Sequence, residues 1–338
     1  MTWIVWRQYR MQAAVSAALL AAFAVFAVVT GLHLATMWHN DLVACTAAHN
    51  CSSGEGGLFN GSGDATGLIV EMTLIVPALL GLFWGAPLVA HELETGSLQW
   101  TWVQSVTRTR WFTVKAGCLM LAAAIWGGAV AGLVTWWAGP RNALYLDAFT
   151  GGNFDIQGIV PVGYALFAMA LGILAGTLLR RTVPAMAITL GGFVAVRLVI
   201  TVWVRKYYMA AVTTYANAGA NITPKGSYWQ YASGLTGPHG PLAQASGMVV
   251  TSPGALSTEF DGVPVTELPK ACQAAASASG PPTSAANNCL TSHHILQFIT
   301  YQPASRYWAF QGIETGIYAL IAAALIAVTI AVIRRRDA

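Results

Sequence analysis

The chain has 338 residues, of which 56% are hydrophobic and only 9% carry a charged side chain, and its formal net charge is +4. A soluble globular domain carries about 25% charged residues, so this composition cannot cover a water-exposed surface and indicates a membrane protein. No basic block with interleaved aromatic residues occurs, which argues against nucleic acid as a partner.

An amphiphilic segment comes first. In residues 1–10, three aromatic side chains alternate with Arg7 and Arg10. This pattern predicts a short interfacial helix that lies along the inner leaflet, because aromatic rings and arginines suit the headgroup region. An aromatic belt at the end of the first membrane span is the alternative.

Six apolar stretches have the length of roughly 20 residues that a helix needs to cross a bilayer. The first is much longer than the apolar core of a cleavable signal peptide, so we expect it to remain as a span. The pattern predicts an all-α polytopic membrane protein with five spans in residues 11–204 and the sixth in residues 312–338. The stretches are Met11–Leu34, Leu68–Ala90, Phe112–Trp137, Ile159–Leu179, Pro184–Val204 and Gly312–Ile333.

Basic residues near the ends of these stretches predict the orientation. Since Lys and Arg are enriched on the cytoplasmic side, we expect both termini in the cytoplasm of a bacterium and the spans in its plasma membrane. Arg205 and Lys206 fall on the other side, where they begin a loop so long that it translocates largely regardless of charge. The residues assigned to the cytoplasmic side are Arg7, Arg10, Arg108, Arg110, Lys115, Arg180, Arg181, Arg334, Arg335 and Arg336.

The long loop, residues 205–311, is predicted to form a small cap of mixed structure on the outer side, between spans five and six. Its middle is rich in Gly, Pro, Ser and Thr with short β-like runs, and residues 294–300 are predicted to be helical. No nucleophile–base arrangement is recognisable in it, so the sequence predicts no enzyme activity.

Four of the five cysteines lie on the predicted outer side, where an oxidising environment favours disulfides. Pairing Cys45 with Cys51, and Cys272 with Cys289, needs no connection between the two outer loops. Four cysteines allow three pairings, however, and the sequence does not choose among them. No Cys-x-x-Cys pair occurs and the neighbouring histidines are poorly spaced, so no metal site is expected.

Three charged residues lie within or near the spans. Arg197 belongs to span five, and Glu71 and Glu314 begin spans two and six from the outer side. A charge in the hydrocarbon region is costly and needs a partner or a water-filled path. We expect Arg197 to pair with one of the two glutamates, either as a structural ion pair or as a gate.

The loop between spans two and three, residues 91–111, holds the most informative pattern. Two glutamates continue span two into water, a glycine can end that helix, and a serine can cap a short helix after it. The pattern predicts a helix, a sharp turn, a short surface helix and a return, an element that can push on a soluble partner. An ordinary interfacial turn is the alternative. The residues assigned to the element are Glu92, Glu94, Gly96, Ser97, Leu98, Trp100, Trp102, Arg108 and Arg110.

This loop resembles the intracellular loop of ABC-2-type transporter permeases, in which an acidic residue, a small Gly-Ser element and a short coupling helix precede a basic start of the third span. Residues 2–10, 158–187 and 301–311 also resemble permeases of this type from actinobacteria. The resemblance therefore covers both ends of the chain and most of its membrane part.

The resemblance implies a homodimer of permeases, each served by a separate ABC ATPase that binds ATP and Mg²⁺ and receives the coupling helix. It further implies a path lined by spans two and five, and export of a hydrophobic or amphiphilic compound such as a drug, an antibiotic or a lipid. The chain contains no Gly-Lys-Ser or Gly-Lys-Thr, so it lacks a Walker A motif and is expected to hold no nucleotide cofactor. An ion-coupled secondary carrier and a polytopic membrane enzyme are the alternatives, and the lack of evident internal repeats argues against the carrier.

Overall fold

A computed structural model gives the fold. It describes residues 2–48, 63–94, 108–140, 142, 148–149, 151–217, 220, 228–237, 240–246, 259–260, 263–264, 270–272 and 284–335. The helices are α1 (Thr2–Ala48), α2 (Gly63–Leu80), α3 (Pro87–Glu94), α4 (Arg108–Trp137), α5 (Gly151–Ile156), α6 (Val160–Leu179), α7 (Thr182–Val199), α8 (Ser284–Ser292) and α9 (Tyr307–Arg335).

Within these described ranges, six helical segments are long and apolar enough to cross a membrane, so the prediction of a six-span, all-α polytopic membrane protein is confirmed. Some of their limits differ from the sequence-based ones by several residues, and the largest difference is at the start of span six, at Ala304 instead of Gly312. Spans one to six are Ala14–Met37, Gly67–Gly85, Thr109–Trp137, Val160–Leu179, Thr182–Tyr207 and Ala304–Arg335.

The first helix has no boundary near residue 10. α1 continues without a break from Thr2 to Ala48, so the segment predicted as a separate interfacial helix leads directly into span one. At 1.5 Å per residue the helix is about 70 Å long, more than twice the thickness of the hydrocarbon core of a bilayer. The position of its first turns at a membrane surface stays a prediction.

Span four lies at the centre of the membrane helices. Two thirds of its residues are buried within the protein, against about a tenth for span one. α6 contacts α2, α3, α4 and α7, and the main apolar cluster joins α6 to span two and α4. The buried members of this cluster are Leu80, Trp84, Leu88, Phe112, Ala116, Leu119, Ala123, Ala165, Met169 and Ile173.

Span two contains a π-helical turn, Gly81–Gly85, between α2 and α3. This turn and Ala86 after it pack directly on the backbone of α6, where Gly172 faces the turn and Gly176 faces Ala86. A Cβ atom added to Gly85 would lie only 2.8 Å from the carbonyl oxygen of Met169. Glycine is therefore required on both helices, since any larger residue would force the two backbones apart.

A second compact unit consists of residues 146–151 and 209–307. It holds a four-stranded antiparallel sheet in the order β1-β6-β2-β3 and a small β4-β5 hairpin. The prediction of a helix over residues 294–300 is wrong: a strand over Leu296–Gln302 covers most of them, since the β-branched and aromatic residues there suit the centre of a sheet. The strands are β1 (Val212–Asn217), β2 (Trp229–Gly237), β3 (Gly240–Ser246), β4 (Glu259–Phe260), β5 (Val263–Pro264) and β6 (Leu296–Gln302).

A disulfide joins Cys272 to Cys289 within this second unit, and the Cα atoms of the two residues are 5.7 Å apart. Cys51 and the side chain of Cys45 lie outside what the structure describes, so the pairing of these two cysteines stays a prediction. The fifth cysteine, Cys118, is a free thiol in α4.

Candidate functional site

Most of the predicted coupling element falls in residues 95–107, which lie outside the described ranges together with the side chains of Glu92 and Arg108. This set includes Gly96, Ser97, Leu98, Trp100 and Trp102. Two of the assigned residues can therefore be placed. Arg110 is exposed in the first turn of α4, and Glu94 is the last residue of α3.

Glu94 contacts the beginning of α7. One oxygen of its carboxylate accepts a hydrogen bond from the backbone N–H of Thr182, at 2.9 Å, and the other accepts one from the Thr182 hydroxyl, at 2.6 Å. Thr182 is the first residue of α7, where backbone N–H groups have no partner within the helix and a negative charge is favourable. Glu94 thus caps span five and ties it to the end of span two.

The connection that precedes this cap is very short. Only Arg180 and Arg181 separate α6 from α7, and both are exposed. Arg180 has a φ of 53°, in the left-handed region, and its N–H donates to the carbonyl oxygen of Gly176 at 3.1 Å. This closure ends α6 within one residue, so that α7 can begin at Thr182.

At the other end of span five lies a second group of charges, which we call the charged cluster: Asp155, Arg197, Arg205 and Glu314, together with the hydroxyl groups of Tyr164 and Tyr208. Asp155 comes from α5, Tyr164 from α6, both arginines and Tyr208 from span five and the turn after it, and Glu314 from α9. Arg205 is 2% exposed and Glu314 is fully buried.

Arg205 and Glu314 form the core of the charged cluster. Arg205 donates from Nε to Glu314 Oε2 at 2.8 Å and from a terminal nitrogen to Oε1 at 2.6 Å, an arrangement with two parallel hydrogen bonds. The hydroxyl of Tyr208 lies 3.4 Å from Oε2. Burial, and to a smaller extent the Glu314 carboxylate, raises the pKa of Tyr208 above its ordinary value, so this hydroxyl keeps its proton.

Asp155 bridges the two arginines. One carboxylate oxygen pairs with Arg205, and the other lies 3.1 Å from a terminal nitrogen of Arg197. The Tyr164 hydroxyl is 2.7 Å from Glu314 Oε1 and 3.1 Å from Asp155 Oδ1, so its single proton can serve either carboxylate. The guanidinium of Arg197 also stacks 4.5 Å from the centre of the Tyr164 ring.

The predicted partner of Arg197 was therefore wrong. Arg197 pairs with Asp155, because Arg205 already occupies both oxygens of Glu314. Glu71 is exposed on α2, and within the described part of the chain no ion pair joins it to an arginine. The prediction also placed Arg205 in the outer loop, whereas it belongs to the membrane unit.

Gln311 positions the segment that carries Asp155. Its side-chain oxygen accepts hydrogen bonds from the N–H groups of Ile159 and Val160, at 2.9 and 3.0 Å, and its side-chain nitrogen donates to the carbonyl oxygen of Phe154 at 3.1 Å. Gly158 has a φ of 68°, and a Cβ atom there would approach the Gln311 amide to 2.6 Å. Gln311 therefore caps α6 and fixes the turn between α5 and α6.

The charged cluster contains two cations and two anions, so its formal charge is balanced. Burying an ion is costly unless it is paired and hydrogen-bonded, and each member here contacts at least one opposite charge. The charged cluster therefore stabilises one packing of α5, α6, α7 and α9. Removal of any one of its four charges leaves the cluster with an uncompensated charge.

Metal-ligand geometry occurs once among the described residues, at Cys272, Cys289 and His293. The two sulfurs are joined in the disulfide, so they are not available as thiolate ligands.

Comparison with known proteins gives one match. The family model described as ABC-2 membrane transporter related matches residues 17–205, more than half of the chain. The matched range contains Glu94, Thr182, Asp155 and both arginines of the charged cluster, and ends before Glu314. No curated protein and no solved structure matches the chain.

Proposed function

Since this chain belongs to the ABC-2 membrane transporter related family, we propose that it is the permease subunit of an ATP-driven exporter whose ATPase is a separate polypeptide. Six spans supply the membrane part. The sequence has no Walker A motif, so ATP and Mg²⁺ bind to the partner subunit. The cargo that fits an apolar path is a hydrophobic or amphiphilic compound such as a drug, an antibiotic or a lipid.

The charge distribution along the sequence supports an orientation with both termini in the bacterial cytoplasm. The loop over residues 91–111 then faces the ATPase, and lipid surrounds the exposed apolar side chains. Two permease copies enclose the path between spans two and five.

The contact between Glu94 and Thr182 is the observation that supports a coupling role for this loop. Residues 95–107 follow directly after Glu94, so a displacement imposed on them by the ATPase acts on Glu94 first. Because Glu94 is hydrogen-bonded to the start of α7, the displacement moves span five together with the end of span two. Binding and hydrolysis of ATP thereby change the positions of the two spans that line the path.

The test uses the chain co-expressed with its genomically adjacent ATPase and reconstituted in proteoliposomes. We expect the two proteins to co-purify. Glu94→Ala and Thr182→Val each remove part of one cap, worth about 1 kcal/mol, and should lower the rate of ATP hydrolysis up to about fivefold without dissociating the complex. The double variant should be no worse than Glu94→Ala, since both changes remove the same contact.

Glu71→Ala is the matched control, because it removes an exposed glutamate from the same span without touching α7. It should hydrolyse ATP at the wild-type rate. A complex in which Glu94→Ala is as active as Glu71→Ala contradicts the coupling role. If no ATPase co-purifies and nucleotide has no effect, the exporter proposal itself fails.

A further inference from the structure

Span five contains a second π-helical turn, Ile200–Val204, and this turn lies between the two arginines of the charged cluster. Arg197 precedes it in α7 and Arg205 follows it. A π-helical turn accommodates one more residue than an α-helical turn and is common at functional sites.

The extra residue decides which way Arg205 points. In a regular α-helix, two residues eight positions apart differ by about 800°, which leaves them about 80° away from the same face. Because the wide turn absorbs one residue, Arg197 and Arg205 are separated by about seven regular helical positions, or 700°. This angle is within about 20° of two full turns. Arg197 and Arg205 therefore lie on one face, and both reach Asp155.

Conversion of this turn to a regular α-helix would rotate everything after it by about 100°. Such a rotation carries Arg205 away from Glu314 and Asp155, while Arg197, which precedes the turn, keeps its place. The wide turn and the Arg205–Glu314 pair are thus coupled: the ion pair stabilises the wide turn, and the wide turn orients Arg205 toward Glu314.

Unpaired hydroxyl groups near the turn provide an independent observation. Thr201 Oγ1, in the turn itself, and the hydroxyl groups of Thr315 and Tyr318, on α9, are buried and have no hydrogen-bond partner among the described residues. Buried polar groups are nearly always paired, so groups left unpaired in one state are candidates for pairing in another.

Partners for two of these groups arise when the turn becomes regular. Thr73 and Thr189, in regular helices of the same bundle, each donate to the carbonyl oxygen four residues earlier, at 2.7 Å. A regular turn would offer Thr201 the same bond. Tyr318 lies one helical turn after Glu314 on α9, where a carboxylate released by Arg205 can accept a hydrogen bond from the Tyr318 hydroxyl.

We propose that the charged cluster is a latch, closed in this structure, and that the π-helical turn Ile200–Val204 is its moving part. The latch opens when the turn becomes α-helical and Arg205 leaves Glu314. As part of a transport cycle this rests on the proposed function, because the ATPase supplies the displacement through Glu94 at the other end of span five.

The experiment measures the distance between spans five and six by electron–electron double resonance. Spin labels are attached at Lys206→Cys and Gly312→Cys, two exposed positions. Cys45, Cys51 and Cys118 are replaced by serine, and the disulfide-bonded cysteines do not react. The full chain is measured first alone in nanodiscs, and then with its ATPase, with and without ATP and vanadate.

In the chain alone, deletion of Val202 removes the residue that the wide turn absorbs, so a regular turn then holds Arg197 and Arg205 seven positions apart on one face, and the label distance should stay at the wild-type value. The control, Val202→Ala, alters the same exposed side chain but keeps the extra residue of the turn. A shift of the label distance in the deletion variant by on the order of 8 Å, the displacement that a 100° rotation produces at the surface of a helix, overturns the proposal, and this comparison requires no ATPase.

In the complex, trapping with vanadate should shift the wild-type distance by on the order of 8 Å, whereas the deletion variant, which has no extra residue to release, should keep its distance. A complex that hydrolyses ATP with an unchanged distance overturns the latch while leaving the proposed function intact. If the deletion variant does not fold, Thr201→Val replaces it: this isosteric change removes the hydroxyl that only the regular turn satisfies, and should reduce the vanadate-shifted fraction. An unchanged fraction then contradicts the proposal.

Discussion

Replacement of Glu314 by glutamine should strongly destabilise the membrane unit. The side chain is fully buried, and its carboxylate accepts two hydrogen bonds from Arg205 and contacts the hydroxyls of Tyr164 and Tyr208. Glutamine keeps the shape but leaves two arginines facing a single carboxylate, that of Asp155. Removal of one partner from a buried ion pair costs about 3–5 kcal/mol, and we expect Glu314→Gln to lower the free energy of unfolding by this amount.

The double variant Arg205→Met/Glu314→Gln tests the physical reason. It restores the charge balance, since Arg197 and Asp155 remain as a pair. The double variant leaves no unpaired charge at these two positions, so it should be more stable than Glu314→Gln alone, with an interaction free energy of about 2 kcal/mol or more.

Equilibrium unfolding in mixed detergent micelles, followed by far-ultraviolet circular dichroism, provides the measurement. Glu71→Gln is the control, because it makes the same chemical change at an exposed position. The reasoning is refuted if Glu314→Gln costs less than about 1 kcal/mol, or if the effects of the two substitutions in the double variant simply add.

Two further predictions concern packing and covalent structure. Gly85→Ala should lower the free energy of unfolding by about 1–3 kcal/mol, because its Cβ meets the Met169 carbonyl oxygen. Gly132→Ala is the control and should leave that free energy unchanged, since its Cβ has open space around it. The same unfolding assay distinguishes the two variants. Cys272→Ser/Cys289→Ser should lower the stability of the second unit by about 3 kcal/mol, as expected for closure of a loop of this length, and the wild-type chain should gain two maleimide-reactive thiols on reduction that this variant lacks.

The six spans could be predicted because a bilayer requires a certain length and an apolar composition, and both can be recognised in a single stretch of the sequence. Strand β6 could not, since its seven residues resemble a short helix as well as a strand until β1 and β2 pair with it on either side. The same limit applies to the coupling residues. Glu94 was recognised as important, but its partner Thr182 is 88 residues further along the chain, and no local pattern joins them.

The charged cluster shows a second kind of limit. Arg205 looked like the first residue of a long loop because it follows an apolar run and precedes Lys206. Its burial depends on a π-helical turn, for which the residues Ile200–Val204 give no sequence signature. Asp155 was missed because it lies on a short helix in what the hydropathy pattern assigns to a connection between spans. A charge at the edge of an apolar run is the one signal that could have identified both residues.

Span five is held by carboxylates at both of its ends, and neither carboxylate belongs to it. Glu94, at the end of α3 after span two, binds its first residue, and Glu314 of span six binds Arg205, two residues before its last. Over its 26 residues the span is about 39 Å long. A regular helix of this length transmits a displacement from one end to the other, because its backbone hydrogen bonds resist bending. The π-helical turn is the exception, and it lies just before Arg205. A displacement that enters at Thr182 therefore reaches the turn with little loss, and the turn is where the helix can convert it into a rotation. In the proposed latch, the position of the turn, more than the strength of the ion pairs, makes the charged cluster the part of the bundle that responds.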